Sequence, residues 1–204
     1  MHQLMGGFEM IQSGGFMMYP LLLSALIALA VIIERGYLFA TRFKTPAESV
    51  EELLKILRGS SGEQLRQTPL GAVLAKGEES RHQSAAAMEL AMKNCAESWI
   101  PKLEKRIDVL DTVITAAPLM GLLGTITGMM GSFRVLSEKG VNEPNAITGG
   151  VAEALIATAT GLVIALVCLV AYNYFLSRIK TLVYAMESAA SSLLEMRERS
   201  TRED

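Results

Sequence analysis

Three long stretches of the chain carry no ionisable side chain, and they dominate its pattern of hydrophobic and polar positions. Met10 to Ile33 and Ala154 to Ser177 are 24 residues each, and Thr112 to Phe133 is 22. At 1.5 Å per residue, helices of that length reach about 33 Å or more, against a hydrocarbon core of about 30 Å. The pattern predicts an all-α membrane protein with transmembrane helices over residues 16–39, 112–133 and 153–177. Three buried helices of a soluble core are the alternative. Pro20 falls near the start of the first span, where a missing N–H costs little. Arg35 with Tyr37 is expected to anchor its far end at the interface, leaving a lipid-facing helix.

Between the first two spans the pattern becomes amphipathic. Thr45-Pro46 followed by AESVEELLKILRG reads as a helix from about Pro46 to Gly59, with Val50, Leu53, Leu54 and Leu57 on one face. Met88, Met92, Cys95, Trp99, Leu103, Ile107 and Leu110 follow i+3 or i+4 steps, which predicts a helix running into the second span with a kink at Pro101. Its apolar stripe needs a cover, either another helix of the same chain or a neighbouring copy.

Charge gives the spans a direction. Of the 19 Lys and Arg, 17 fall in residues 34–111 and after residue 177, and 2 (Arg134 and Lys139) fall in the remaining segments. Cytoplasmic loops are the ones enriched in Lys and Arg. The expected order is a periplasmic tail (1–15), the first span, a cytoplasmic helical loop (40–111), the second span, a periplasmic loop (134–152), the third span and a cytoplasmic helix or tail (178–204). No Lys or Arg precedes Phe16 and no small-residue cleavage pattern follows the apolar stretch, so the first span is expected to be retained. The 204 residues are 50% hydrophobic and 20% charged with a formal net charge of −2, which excludes a disordered chain, a basic nucleic-acid binder and a disulfide scaffold. Cys95 and Cys168 fall in different compartments under this topology and are not expected to pair.

The second and third spans hold unusual residues. Gly121, Gly124, Gly128 and Gly131 all lie in the second, and Gly121, Thr125, Gly128 and Ser132 form a stripe of small side chains. The third repeats the device with Ala154, Thr158, Gly161 and Ala165. Between helices in hydrocarbon, small residues let backbones approach. Thr125 and Thr158 can bond back to a carbonyl of their own helix or present hydroxyls to a pathway. Glu153, three residues after the Gly149-Gly150 pair, is either a carboxylate facing a cavity or partner, or a solvated acid in the first turn of a helix. No metal-ligand pattern, catalytic constellation or cofactor motif appears; the two histidines are His2 and His82.

The runs APLMGLLGTITGM at 117–129 and GGVAEALIATATGL at 149–162, with Ala171-Tyr172-Asn173 beyond them, closely resemble the ExbB/TolQ/MotA ion-channel family, nearest its ExbB and TolQ branch. The resemblance is dense from Thr112 to Ile179 and looser over the first span. It implies a homo-oligomeric ring, typically a pentamer, in the bacterial inner membrane around a dimer of ExbD- or TolR-like single-span proteins. By position it makes Thr125 and Thr158 pore-lining hydroxyls and Glu153 an acid near the outer mouth, with the partner bringing the titrating aspartate. Relatives often carry a Pro in the third span; here the stretch reads Leu166-Val167-Cys168, and the kink such a Pro makes is not carried over. Thr160 stands where relatives often have an apolar residue, on nearly one stripe with Glu153. It is expected either to add a polar contact to the ion pathway or to bond back to Ile156.

The preferred reading is the channel-forming subunit of an ion-driven motor that energises outer-membrane uptake through a TonB-like protein. The alternatives are a TolQ-like role in envelope constriction and a flagellar-type stator. A passive membrane scaffold and a membrane enzyme come from other classes. Membrane lipid is an expected neighbour and nucleic acid is not.

Overall fold

The computed structural model describes residues 15–41, 43, 49–59, 62–139 and 144–203. The tail over 1–14, the Thr45-Pro46 helix start and part of the expected periplasmic loop (140–143) lie outside them. Among the described residues the regular elements are all helices: α1 (Met18–Thr41), α2 (Val50–Arg58), α3 (Gly62–Arg66), α4 (Pro69–Glu79), α5 (Ala85–Glu104), α6 (Ile107–Lys139) and α7 (Pro144–Glu203). Three of these, α1, α6 and α7, are long and apolar enough to cross a membrane. The chain forms two compact units, one of Met1–Ile33 with Arg106–Asn173, the other of Glu34–Lys105 with Tyr174–Asp204.

In the first unit, large apolar side chains turn outward, as a lipid-facing surface requires. Leu119, Leu122, Met130 and Phe133 on α6, Leu155, Leu162, Leu166 and Val170 on α7, and Leu26, Leu29 and Ile33 on α1 are all exposed. The buried set is mostly small, including Ala28, Ala117, Ala154, Ala157 and Ala165, with Leu21, Leu110 and Cys168 as larger members. α7 begins at Pro144, nine residues before the expected start of the third span. Proline is suited to the first helical position, and Gly149-Gly150 continues the helix because Gly150 is packed against Ser132 and Gly128.

The second unit is built like a water-soluble helix bundle. α2 starts at Val50 because Ser49 caps it: its hydroxyl accepts from the Glu52 N–H, and the Glu52 carboxylate accepts from the Ser49 N–H. Thr68 caps α4, with Pro69 just inside it, and Ser84 caps α5. Leu53 and Leu57 from α2, Val73 and Leu74 from α4, Met88 and Met92 from α5, and Met186, Ala189 and Leu193 from α7 form one core. The stripe from Met88 to Trp99 is thus covered by helices of its own chain.

Two expectations are corrected here. The helix carrying that stripe does not run unbroken into the second span. α5 passes through Pro101 and ends at Glu104, Arg106 takes a left-handed φ of 64°, and α6 starts at Ile107. Arg35 is not an interfacial anchor: it is 2% exposed, and its guanidinium donates to the Lys102 carbonyl at 3.5 Å. That carbonyl lies in the last turn of α5, where carbonyls lack helical partners and a cation is favoured by the helix dipole. Tyr37 is exposed.

Leu74 is fully buried among these helices. Leu74→Ala is expected to cost about 2–5 kcal/mol, read as a lowered unfolding temperature of the purified protein. Burial also raises the pKa of Cys95, outweighing the opposing charges of Lys76 and Lys102, while Glu79 adds to the rise. The thiolate is therefore scarce at neutral pH. Alkylation of Cys95 in the folded protein is expected to be slower at pH 7.5 than that of a free thiol and to accelerate as pH rises.

Candidate ion-pathway site at the α6–α7 seam

α6 and α7 meet through backbone rather than through large side chains. A Cβ added to Gly121 would lie 2.9 Å from Thr158 Cα, and one on Gly161 would lie 2.5 Å from the Ala117 carbonyl oxygen. Gly124 faces Ala157, with a built Cβ 2.7 Å from the Ala157 methyl, and Gly128 faces the Gly150 carbonyl at 2.8 Å. Ser132 sits against Gly150, while Gly131 and Gly149 have open space beside them. Ala165 is buried on the α7 stripe. The stripes of small residues therefore serve the packing of one chain on itself.

The threonine hydroxyls divide into two kinds. Thr125 donates to Leu122 O at 2.6 Å and Thr160 to Ile156 O at 2.8 Å, both within their own helices. Thr158 instead donates across the seam to Gly121 O, 37 residues away in sequence, at 2.9 Å. The Gly121–Thr158 approach makes that bond possible, since a side chain at 121 would separate the two backbones. With its proton committed, the Thr158 oxygen still has lone pairs to accept from a visiting donor.

The α6–α7 contact also sorts the candidate residues onto two flanks. Residues advance by 100° around a helix. On α7, with Gly150, Ala154, Ala157 and Gly161 facing α6, Thr158 projects to one side of the contact stripe and Glu153 and Thr160 to the other. On α6, Thr125 and Gly124 likewise fall on opposite sides of the line through Gly121 and Gly128. α1 lies on the flank of Gly124, Glu153 and Thr160. Met17 packs on Gly124, and the end of the Glu153 side chain packs on Gly15. Farther along, Ala25, Ala28, Leu29 and Ile32 of α1 share a groove with Val163, Ile164, Val167 and Cys168 of α7. Thr125 and Thr158 thus share the flank that α1 leaves uncovered.

The structure does not bring Glu153 onto the same flank as the hydroxyl pair. Nor does Glu153 lie in the first turn of a helix, since α7 starts at Pro144, about two and a half turns earlier. Gly15, Ala157 and Gly150 are contact residues that the sequence pattern did not single out. Gly150 had a signal, as half of a Gly-Gly pair three residues before Glu153. Gly15 had none, because its role depends on a residue 138 positions away. Among the described residues no cluster of His, Cys, Asp and Glu has the arrangement of a metal site.

The MotA/TolQ/ExbB proton channel family matches residues 65–188, more than half of the chain. The chain belongs to this family. It is 32% identical over 173 residues to the putative biopolymer transport protein ExbB-like 3 of Synechocystis sp., an alignment covering 81% of this chain and 82% of that protein. Similarity to ExbB-like 1 of the same organism is 31% over 173 residues, covering 80% and 68%. The Tol-Pal system protein TolQ of Haemophilus influenzae is 41% identical over 96 residues, covering 47% of this chain and 40% of TolQ. With its three apolar helices, the chain is a multi-pass membrane protein of this proton-channel family.

The seam makes a size-sensitive prediction. Gly161→Val should overpack the contact with Ala117 and cost about 1–3 kcal/mol, lowering the unfolding temperature in detergent by several degrees. Gly131→Ala, where the added methyl meets nothing within 4 Å, should not lower it, since alanine in a helix interior is favoured over glycine by up to about 1 kcal/mol.

Proposed function

We propose that this chain is the channel-forming subunit of an inner-membrane, proton-motive-force-driven motor. In this reading its N-terminus is periplasmic and its C-terminus cytoplasmic, and a ring of copies, typically five, surrounds a dimer of an ExbD/TolR-like single-span protein. The motor energises outer-membrane transport through a TonB-like protein. Thr125 and Thr158 line the ion pathway, and Glu153 is its acid near the outer mouth. Thr160, back-bonded and on the α1 flank, is a secondary polar contact.

The observation that carries the reading is the shared placement of Thr125 and Thr158 on the flank that α1 does not cover. A pathway needs groups that accept and release a proton carrier without trapping it, and hydroxyls whose protons are committed to backbone carbonyls meet that requirement because each keeps acceptor capacity. An acidic group supplied by the partner can be neutralised by an arriving proton and then pass apolar surface. Each charge crossing the membrane yields about 2.3 kcal/mol per 100 mV, so repeated small steps around a ring suit the energy available. The ExbB-like alignments span about four-fifths of this chain and support the ExbB reading by their names, while proteins named ExbB and TolQ align over similar shares, less than half of the chain each.

The test is proton flux into liposomes holding the chain with its ExbD/TolR-like partner. Thr158→Val and Thr125→Val should each reduce flux at least about tenfold, equivalent to 1.4 kcal/mol, while the oligomer still assembles. Unchanged flux would favour a passive scaffold.

A further inference from the structure

α1 does more in this structure than a lipid-facing anchor would. Its opening turn is pinned to the other two spans at several points. Met18 and Leu21 are 4% and 0% exposed, and Met17 packs on Gly124, with a Cβ built there 3.4 Å from the Met17 Cβ. The turn itself is closed by the Met18 N–H donating to the Gly15 carbonyl at 3.1 Å. Gly15, at the head of the turn, has a φ of 67°, a conformation that costs little only for glycine. Its Cα hydrogen occupies the position a side chain would take, and the space beyond it is filled by Glu153. An added Cβ would fall on the Glu153 carboxylate, 2.5 Å from Cδ and 3.0 Å from Cγ.

We propose that Gly15 is a positioning residue for Glu153: the glycine-headed turn of α1 forms a seat that holds the carboxylate at one point on the α7 surface. Two properties of glycine are used together, its left-handed backbone and its lack of a side chain. The first span thereby sets where the acid of the ion pathway rests. This assignment rests on the reading of Glu153 as an ion-pathway residue.

A double-mutant cycle separates the seat from simple backbone strain. The unfolding temperature of the full-length oligomer is measured for Gly15→Ala, for Glu153→Ala and for the pair, with Glu153→Ser as a second background in case Glu153→Ala does not assemble. The φ penalty of alanine is the same in every background and cancels; the collision with the carboxylate does not. Gly15→Ala should therefore lower the unfolding temperature by at least about 2 °C more in the native background than in the shortened ones. It should also reduce proton flux severalfold in the complex with the ExbD/TolR-like partner. Gly36→Ala, whose added methyl meets nothing within 4 Å, should do neither. Equal temperature losses in all backgrounds overturn the proposal, as does full flux from Gly15→Ala where Glu153→Gln abolishes it. Full flux from Glu153→Gln itself would overturn the role of Glu153 in the pathway, and with it the functional half of the proposal; thermal coupling would then support the seat as a structural contact alone.

Discussion

The first unit depends on the close approach of α6 to α7. In a bilayer, apolar side chains gain nothing from leaving lipid for protein, so two helices stay together through short-range contact and the occasional interhelical hydrogen bond. Both need backbones near each other. Gly121, Gly124, Gly128 and Gly161 provide that proximity, each with a partner lying where a methyl group would intrude. The Thr158–Gly121 hydrogen bond follows from it. So does the division of the surface into two flanks, because the residues used in the seam decide which neighbours point to either side.

The second unit follows the other rule of burial. Leu, Val and Met side chains from α2, α4, α5 and α7 are removed from water in one core, where the hydrophobic effect supplies a driving force absent in lipid. The helix boundaries there are set by polar capping at Ser49, Thr68 and Ser84, and the last turn of α5 receives the Arg35 guanidinium on a carbonyl. α7 takes part in both regimes: its first part contributes alanine, glycine and threonine to a seam, and its last part contributes Met186, Ala189 and Leu193 to a core.

For a proton-channel family member, the division of hydroxyls and carboxylate between the flanks is the informative feature. Thr125 and Thr158 lie on the flank free of α1, and Glu153 rests on the opening turn of α1. Hydroxyls bonded to backbone carbonyls are held in place yet keep acceptor lone pairs, which suits transient contact with a moving proton carrier. A carboxylate packed against a glycine meets it by shape.

The three spans, the small-residue stripes and the family motifs were legible in the sequence, because apolar runs, glycine spacing and local patterns are properties of consecutive residues. The amphipathic stripe from Met88 to Trp99 was legible too, but not its cover, since the facing residues come from α2 and α4 and from α7, about a hundred positions later. The break at Arg106 carried no glycine to announce it, and Pro101, the visible breaker, lies inside the helix. The short helix over 69–79 had a cap signal in Thr68-Pro69 but too little length to stand out. The sequence by itself determined that three segments prefer lipid and that two of them can pack closely. Only the tertiary structure decided that Thr158 bonds to Gly121, that Arg35 is buried, and that Gly15 meets Glu153. These contacts depend on the rotation of each helix about its axis, which the packing of all three helices sets jointly and no single stretch encodes.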